Sequence, residues 1–222
     1  MNVKLNWRSE FLAICAYNDK IFPNQFDVEL QMVTHTENPR HQNVAFERMK
    51  VIVNELFAHG IFVGHENENL SSLIDIYPEK IVLLPEEAYD QVIAIALFCK
   101  INAVMENAIT CTSVRISSHF GDHVWYQYDS GDAMGPFAVA KSKGKRKQHV
   151  PWWNRNDLMT FDADGEISVT TWDELELDWE EAAESEVFEF KPEKTADVID
   201  IKKSRKKNFR AEVIEGGKKD EN

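Results

Sequence analysis

Between residues 6 and 128 the apolar pattern changes period in a fixed order: two strands, a helix, a second helix, then two more strands. This order constrains the fold more than any single motif. A strand pair buries one face only when something packs on it, and the pattern supplies helices as the cover. Residues 10–17 and 26–33 are rich in apolar and β-favouring types, with turn chemistry between them at Asn18-Asp19-Lys20 and Pro23-Asn24. In the second run Phe26, Val28, Leu30 and Met32 alternate with Asp27, Glu29 and Gln31, the period of a sheet with one wet face.

A polar connection follows, in which Asn38-Pro39 is expected to block helix until Asn43 caps one. Ala45, Met49, Ile52, Val53 and Leu56 then recur at helical spacing, ending near His59-Gly60. Residues 61–63 suit a short extended piece and 69–76 a helical turn or two. Residues 81–84 lead to Pro85, read as the first residue of the second helix, with Glu86 and Glu87 at the positive end of its dipole. From 92 to 105 this helix is apolar on most of its circumference, so a sheet and some second cover, such as another subunit, must bury it. Residues 110–117 and 124–128 form the closing hairpin. The expected class is α+β, an antiparallel four-stranded sheet with two helices on one face.

The 222-residue chain is 43% apolar and 28% charged, which suits one soluble domain with an appendage. We assign the core to residues 1–140, a basic and aromatic linker to 141–160, and a flexible, disordered arm to 161–222, first acidic and aromatic, then basic. No apolar run is long enough to span a bilayer, and the charged first ten residues do not suit a signal peptide, so a cytoplasmic location without membrane contact is expected. Cys15, Cys99 and Cys111 lie in apolar stretches without C-x-x-C spacing, as reduced core thiols do.

The segment FERMKVIVNELFAHGIF, residues 46–62, together with Leu84-Pro85-Glu86-Glu87 and the element order, resembles the 6-pyruvoyl- and 6-carboxytetrahydropterin synthases of the tunnelling fold. The resemblance covers roughly residues 8–128. It implies rings of subunits with ligand pockets at their interfaces, and a zinc ion held by one histidine of the first strand and a histidine-x-histidine of the second. Those positions carry Ile14, Cys15, Ala16 and Asn24, Gln25, Phe26 here, so the zinc triad is missing from the sequence and no cofactor is expected. His59 matches the family's catalytic histidine, but Ala58 replaces its acidic partner, and the pterin-anchoring glutamate falls near Ser117 or Ser118. The small size and low-complexity end also resemble orphan proteins of tailed bacteriophages, which implies a host cytoplasm.

His35/His41 and His119/His123 bring no further ligand at diagnostic spacing, and no metal site is assigned. Lys141, Lys143, Lys145, Arg146 and Lys147 followed by Trp152 and Trp153 combine charge with stacking groups, as single-strand nucleic-acid binders do. The net charge of −13 opposes that reading, which is kept as the weaker alternative. Trp172, Trp179 and Phe188, spaced along a carboxylate-rich stretch, have the form of a partner-docking peptide. The first expectation is therefore a non-catalytic oligomeric scaffold that recruits a protein partner through its arm. The alternative is a protein or enzyme binding pterin- or purine-like molecules at an intersubunit pocket through His59, Glu86 and Glu87.

Overall fold

The alternation of residues 26–33 is realised in a long hairpin, β1 (Lys4–Tyr17) and β2 (Lys20–Thr34), turning at Asn18 in the left-handed region. In this computed structural model, which describes residues 3–138, 150–162 and 170–180, Phe26, Val28, Leu30 and Met32 are all buried. On the opposite face Glu29 takes ion pairs from Arg8 at 2.8 Å and Arg115 at 2.6 Å, so the wet face is charged, as its pattern requires.

Helix α1 (Pro39–Val51) starts four residues before the expected cap. Asn38 itself caps it, its side chain accepting from Arg40 N–H at 2.9 Å, and Pro39 occupies the first turn, where its missing N–H costs nothing. The helix runs on as a π-helical stretch, Ile52–Phe57, and stops at His59, whose φ is 63°. Two short apolar pieces then become strands: β3 (Ile61–Gly64) and β4 (Ile81–Leu84), separated by α2 (Leu70–Ile76). Helix α3 (Asp90–Met105), β5 (Ile109–Ser118) and β6 (Tyr126–Asp129) complete the order.

The sheet therefore has six strands in the order β4-β3-β1-β2-β5-β6, not four, and it is mixed. β3 runs parallel to β1 and β4 parallel to β3, while the remaining pairings are antiparallel. Runs of four apolar residues carry no period that separates strand from helix, and parallel strands are buried on both faces, as all four residues of β3 are. The opening of the second helix also moves: α3 begins at Asp90, and residues 85–89 pass over Gly64 as a loop. A side chain at Gly64 would meet the Glu86 carbonyl oxygen at 2.8 Å, so only glycine lets that loop sit there.

The described residues all belong to one compact unit, Met1–Glu181, extending past the expected core boundary at 140. Trp152, placed in a linker by its sequence context, is fully buried, and its indole N–H donates to Leu83 C=O at 2.8 Å. Leu83 N–H donates to Thr160 C=O at 2.9 Å, and the Thr160 hydroxyl donates to Ile81 C=O. Residues 150–162 thus complete the hydrogen bonding of edge strand β4 and cover α3. The same segment holds Lys100, a cation on the apolar helix with no exposed surface, whose Nζ donates to Trp152 C=O (3.1 Å), Arg155 C=O (3.1 Å) and Asp157 (3.2 Å).

Residues 170–180, expected in the flexible arm, are also seated on the domain. The guanidinium of buried Arg48 lies 4.8 Å from the Trp172 ring centre and 4.3 Å from that of Trp179. It donates to Leu177 C=O at 2.8 Å, Val104 C=O at 3.3 Å and Glu106 at 2.9 Å. An arginine between two indoles and three acceptors is a strong local tie for a short peptide.

Burial lowers the Lys100 pKa from 10.5 to about 8. Between these values the unfolded chain holds the proton and the folded one has released it, so this group makes stability rise with pH, by about 3 kcal/mol in all. Lys100→Met takes a donor away from three acceptors, of which Trp152 C=O and Asp157 keep others, and is expected to destabilise by about 2–4 kcal/mol. The gap between wild type and variant in urea unfolding should widen from pH 7 to pH 10.

Candidate functional site

Where β1, β2 and β5 reach the start of α3, four side chains converge. Cys15 and Asn24 are diagonal neighbours on the buried face of the hairpin, the Asn24 amide lying 4.0 Å from the Cys15 sulfur. Asp90, in the first turn of α3, accepts from the Ser118 hydroxyl at 2.9 and 2.8 Å, one distance to each carboxylate oxygen. The Ser118 oxygen in turn accepts from Gly121 N–H at 3.0 Å, and Asn24 accepts from Phe120 N–H at 3.0 Å. These bonds pin the loop after β5 against the helix. A side chain at Gly121 would stand 2.6 Å from the Asp90 carboxylate and would have to displace it.

The result is a cavity of about 110 Å³, with Asp90 in its wall and Tyr17, Phe22, Tyr89, Phe120 and Tyr126 around it. Phe22 and Phe120 lie 4.5 Å apart, Tyr17 packs edge-on to Tyr89 at 5.2 Å, and the two tyrosine hydroxyls are 2.8 Å apart. Burial raises the Asp90 pKa, partly offset by hydrogen bonds from Ser118, and burial pushes the Cys15 thiol up to about 12. Cys15 is therefore a neutral thiol at physiological pH, and all three cysteines are free and buried.

Cys15 and Asn24 stand on the strand positions where the sequence resemblance implies zinc-binding histidines. A protonated thiol and an amide already engaged with a backbone N–H do not fit that ion, and among the described residues no three His, Cys, Asp or Glu side chains are grouped as a metal would need. The histidine pairs fall elsewhere: His119 and His123 meet at 3.3 Å in an exposed loop, His35 bonds the Thr110 hydroxyl, and His41 packs on Trp179.

A second, larger groove of about 420 Å³ adjoins the first and shares Tyr89 with it. Gly64, His65, Glu66, Pro85, Glu86 and Glu87 make up the rest of its lining. Glu86 and Glu87 are thus brought together, but in the loop before α3 and not in its first turn. His59 is not among the residues lining either cavity; it is exposed, and its backbone N–H donates to Leu12 C=O at 2.7 Å. Its place at the left-handed end of the π-helical stretch serves the chain turn into β3.

Of the aromatic candidates, Trp152 is sealed in the core and offers no face for a base, and Trp153 packs edge-on to Phe137 at 5.1 Å. Trp172 and Trp179 flank Arg48. Lys141, Lys143, Lys145, Arg146, Lys147 and Phe188 lie outside the described residues. The Asp90 cavity carries no local signal in the sequence, in which Asp90 is one more acid close to Glu86 and Glu87.

The fold defines the class: an α+β domain whose hairpins flank two long helices, on a mixed six-stranded sheet. No family model matches the chain, and no curated protein does. Among solved structures, an uncharacterized protein from Wolinella succinogenes is similar at 9% identity and a TM-score of 0.42, over 59% of this chain and 99% of that one. The 6-pyruvoyl tetrahydropterin synthase of Plasmodium falciparum is similar at 11% identity and a TM-score of 0.38, over 57% and 96%. That of Plasmodium vivax gives 8% and 0.39, over 58% and 97%. Likeness at this level assigns neither family nor activity to the chain.

An ionised Asp90 in this wall is a cost to the fold. Its pKa is raised, so its contribution favours the folded state below the unfolded value near 3.8 and is lost as pH rises through the folded value. Asp90→Asn, which keeps an acceptor for Ser118, should raise Tm at pH 7 and lose that advantage below pH 4 in thermal scans.

Proposed function

We propose that the chain is a non-catalytic, self-assembling scaffold whose copies join through the free edge of β1. The observation that carries this reading is the edge itself. β1 pairs with β2 along its whole length but with β3 only at Ile14–Ala16, and among the described residues no strand covers the outward side of residues 4–10. Ile14 N–H and Leu12 C=O point outward, to Gly60 and His59, so the period of two turns the backbone groups of Lys4, Asn6, Arg8 and Glu10 the same way. On that same side of the sheet the terminal strand β4, beyond β3, is closed by the chain's own residues 150–162.

An uncovered run of this length templates pairing with another strand. Two copies set antiparallel about Trp7 would oppose Lys4 to Glu10 and Asn6 to Arg8, at both ends of a two-fold contact. All four residues would then fall in hydrogen-bonded positions, with opposite charges facing across the strands. This self-complementarity favours β1 meeting β1. With Trp172 and Trp179 engaged at Arg48, partner recruitment by the arm falls to the residues after Glu180.

Native mass spectrometry of the untagged chain should give a dimer or a multiple of it. Asn6→Pro, which removes an outward N–H at an edge where proline is tolerated, should give a monomer with an unchanged circular dichroism spectrum. Glu10→Lys should also weaken assembly, and adding Lys4→Glu should restore it. A wild-type monomer at micromolar concentration would sink the reading.

A further inference from the structure

We infer that the Asp90 cavity and the groove beside it form a binding site for a linear organic polyamine, one ammonium group seated among the aromatic rings. The chemistry of the walls is of one sign. Five aromatic rings present electron-rich faces or hydroxyls, Cys15 adds a neutral thiol, and the one charged group is the Asp90 carboxylate. Among the described residues no lysine, arginine or histidine pairs with Asp90; its partner is the Ser118 hydroxyl. A carboxylate only 8% exposed, without a counter-cation, is stabilised by any cation that enters, and aromatic faces add to that attraction while tolerating the ligand's carbon atoms.

The mouth is already apolar. Tyr89 is 48% and Phe120 60% exposed, although both pack against other rings of the group. Large aromatic side chains clustered at a cavity rim and left open to water are costly unless something covers them. An anion finds no positive charge among the lining side chains, and a neutral ligand would leave the Asp90 carboxylate without a counter-charge. A single ammonium head fits.

The adjoining groove identifies the rest of the ligand. It continues from the shared Tyr89 past Glu87 and Glu86 to Glu66, so three further carboxylates lie along one open channel of about 420 Å³. The basic side chain in that lining is His65, whose Nε2 stands 3.6 Å from Glu66. A chain with a second cationic nitrogen several methylenes from the first matches this succession of an aromatic seat and an acidic track. The methylenes would cross the Tyr89 ring.

The test is calorimetric titration of the full-length protein with spermidine in buffer of moderate ionic strength. One saturable site per chain is expected. Asp90→Asn, which should be at least as stable as wild type, is expected to weaken binding tenfold or more, and Phe120→Leu several-fold. Glu55→Gln, an exposed carboxylate elsewhere on the surface, should change nothing. Absence of saturable binding would overturn the site, and so would an Asp90→Asn variant that binds like wild type, since attraction to the acidic surface alone would explain that. Assembly through β1 is independent of either outcome, because Asp90 lies on the other side of the sheet from the charged face of that strand.

Discussion

Helix α3 has hardly any polar side to turn toward water, and the rest of the molecule is arranged around that fact. Val92, Ile93, Leu97, Ile101 and Val104 are buried, and so are Ala94, Ala96 and Cys99 on other parts of the circumference. One layer of sheet cannot cover a cylinder. The second layer comes from residues 150–162, which lie across the outer side of the helix and bring Trp152 into the core. Lys100 is the hinge of this arrangement: its ammonium group, forced inside by its place on α3, gathers two backbone carbonyls and Asp157 of the covering segment. The polar exception on an apolar helix thus specifies which stretch of chain becomes its lid.

A similar logic governs the other cation in the core. Arg48 points from α1 into a space that apolar side chains alone would leave short of partners, and the peptide around Trp172 and Trp179 supplies two π faces and a carbonyl. Both late segments are therefore held by an interaction in which a buried charge on a helix selects a tryptophan-bearing stretch, and each tie adds orientation as well as energy.

The sequence was legible where periodicity carried the signal. The hairpin of β1 and β2, the two long helices and the closing strands are all present in the order that alternation and helical spacing gave, with both helix starts moved, and the all-round apolar character of α3 is met by a second cover. It was illegible where the deciding partner lies far along the chain. Nothing local marks 61–64 and 81–84 as parallel strands, since the pairing of β3 to β1 and of β4 to β3 is set by tertiary contact. The proline and tryptophans at 151–153 sit in a polar, charged context that composition reads as linker. Only the long-range bonds to Leu83 and Lys100 make them core. The candidate site shows the same division. Cys15 and Asn24 were located by their strand positions, but Ser118 meets Asp90 only because β5 and the start of α3 come together, and no spacing in the sequence encodes that.

Closure of the sheet edge by a segment some seventy residues downstream has a meaning for synthesis. At about 5–20 residues per second, β4 would emerge about 4–15 seconds before Thr160 exists to pair with it. During that interval the nascent chain carries an open parallel edge and an uncovered greasy helix side by side. Closure of this edge therefore waits on translation of its own lid, and a ribosome paused after α3 has emerged and before Thr160 has would hold the chain at its stickiest moment.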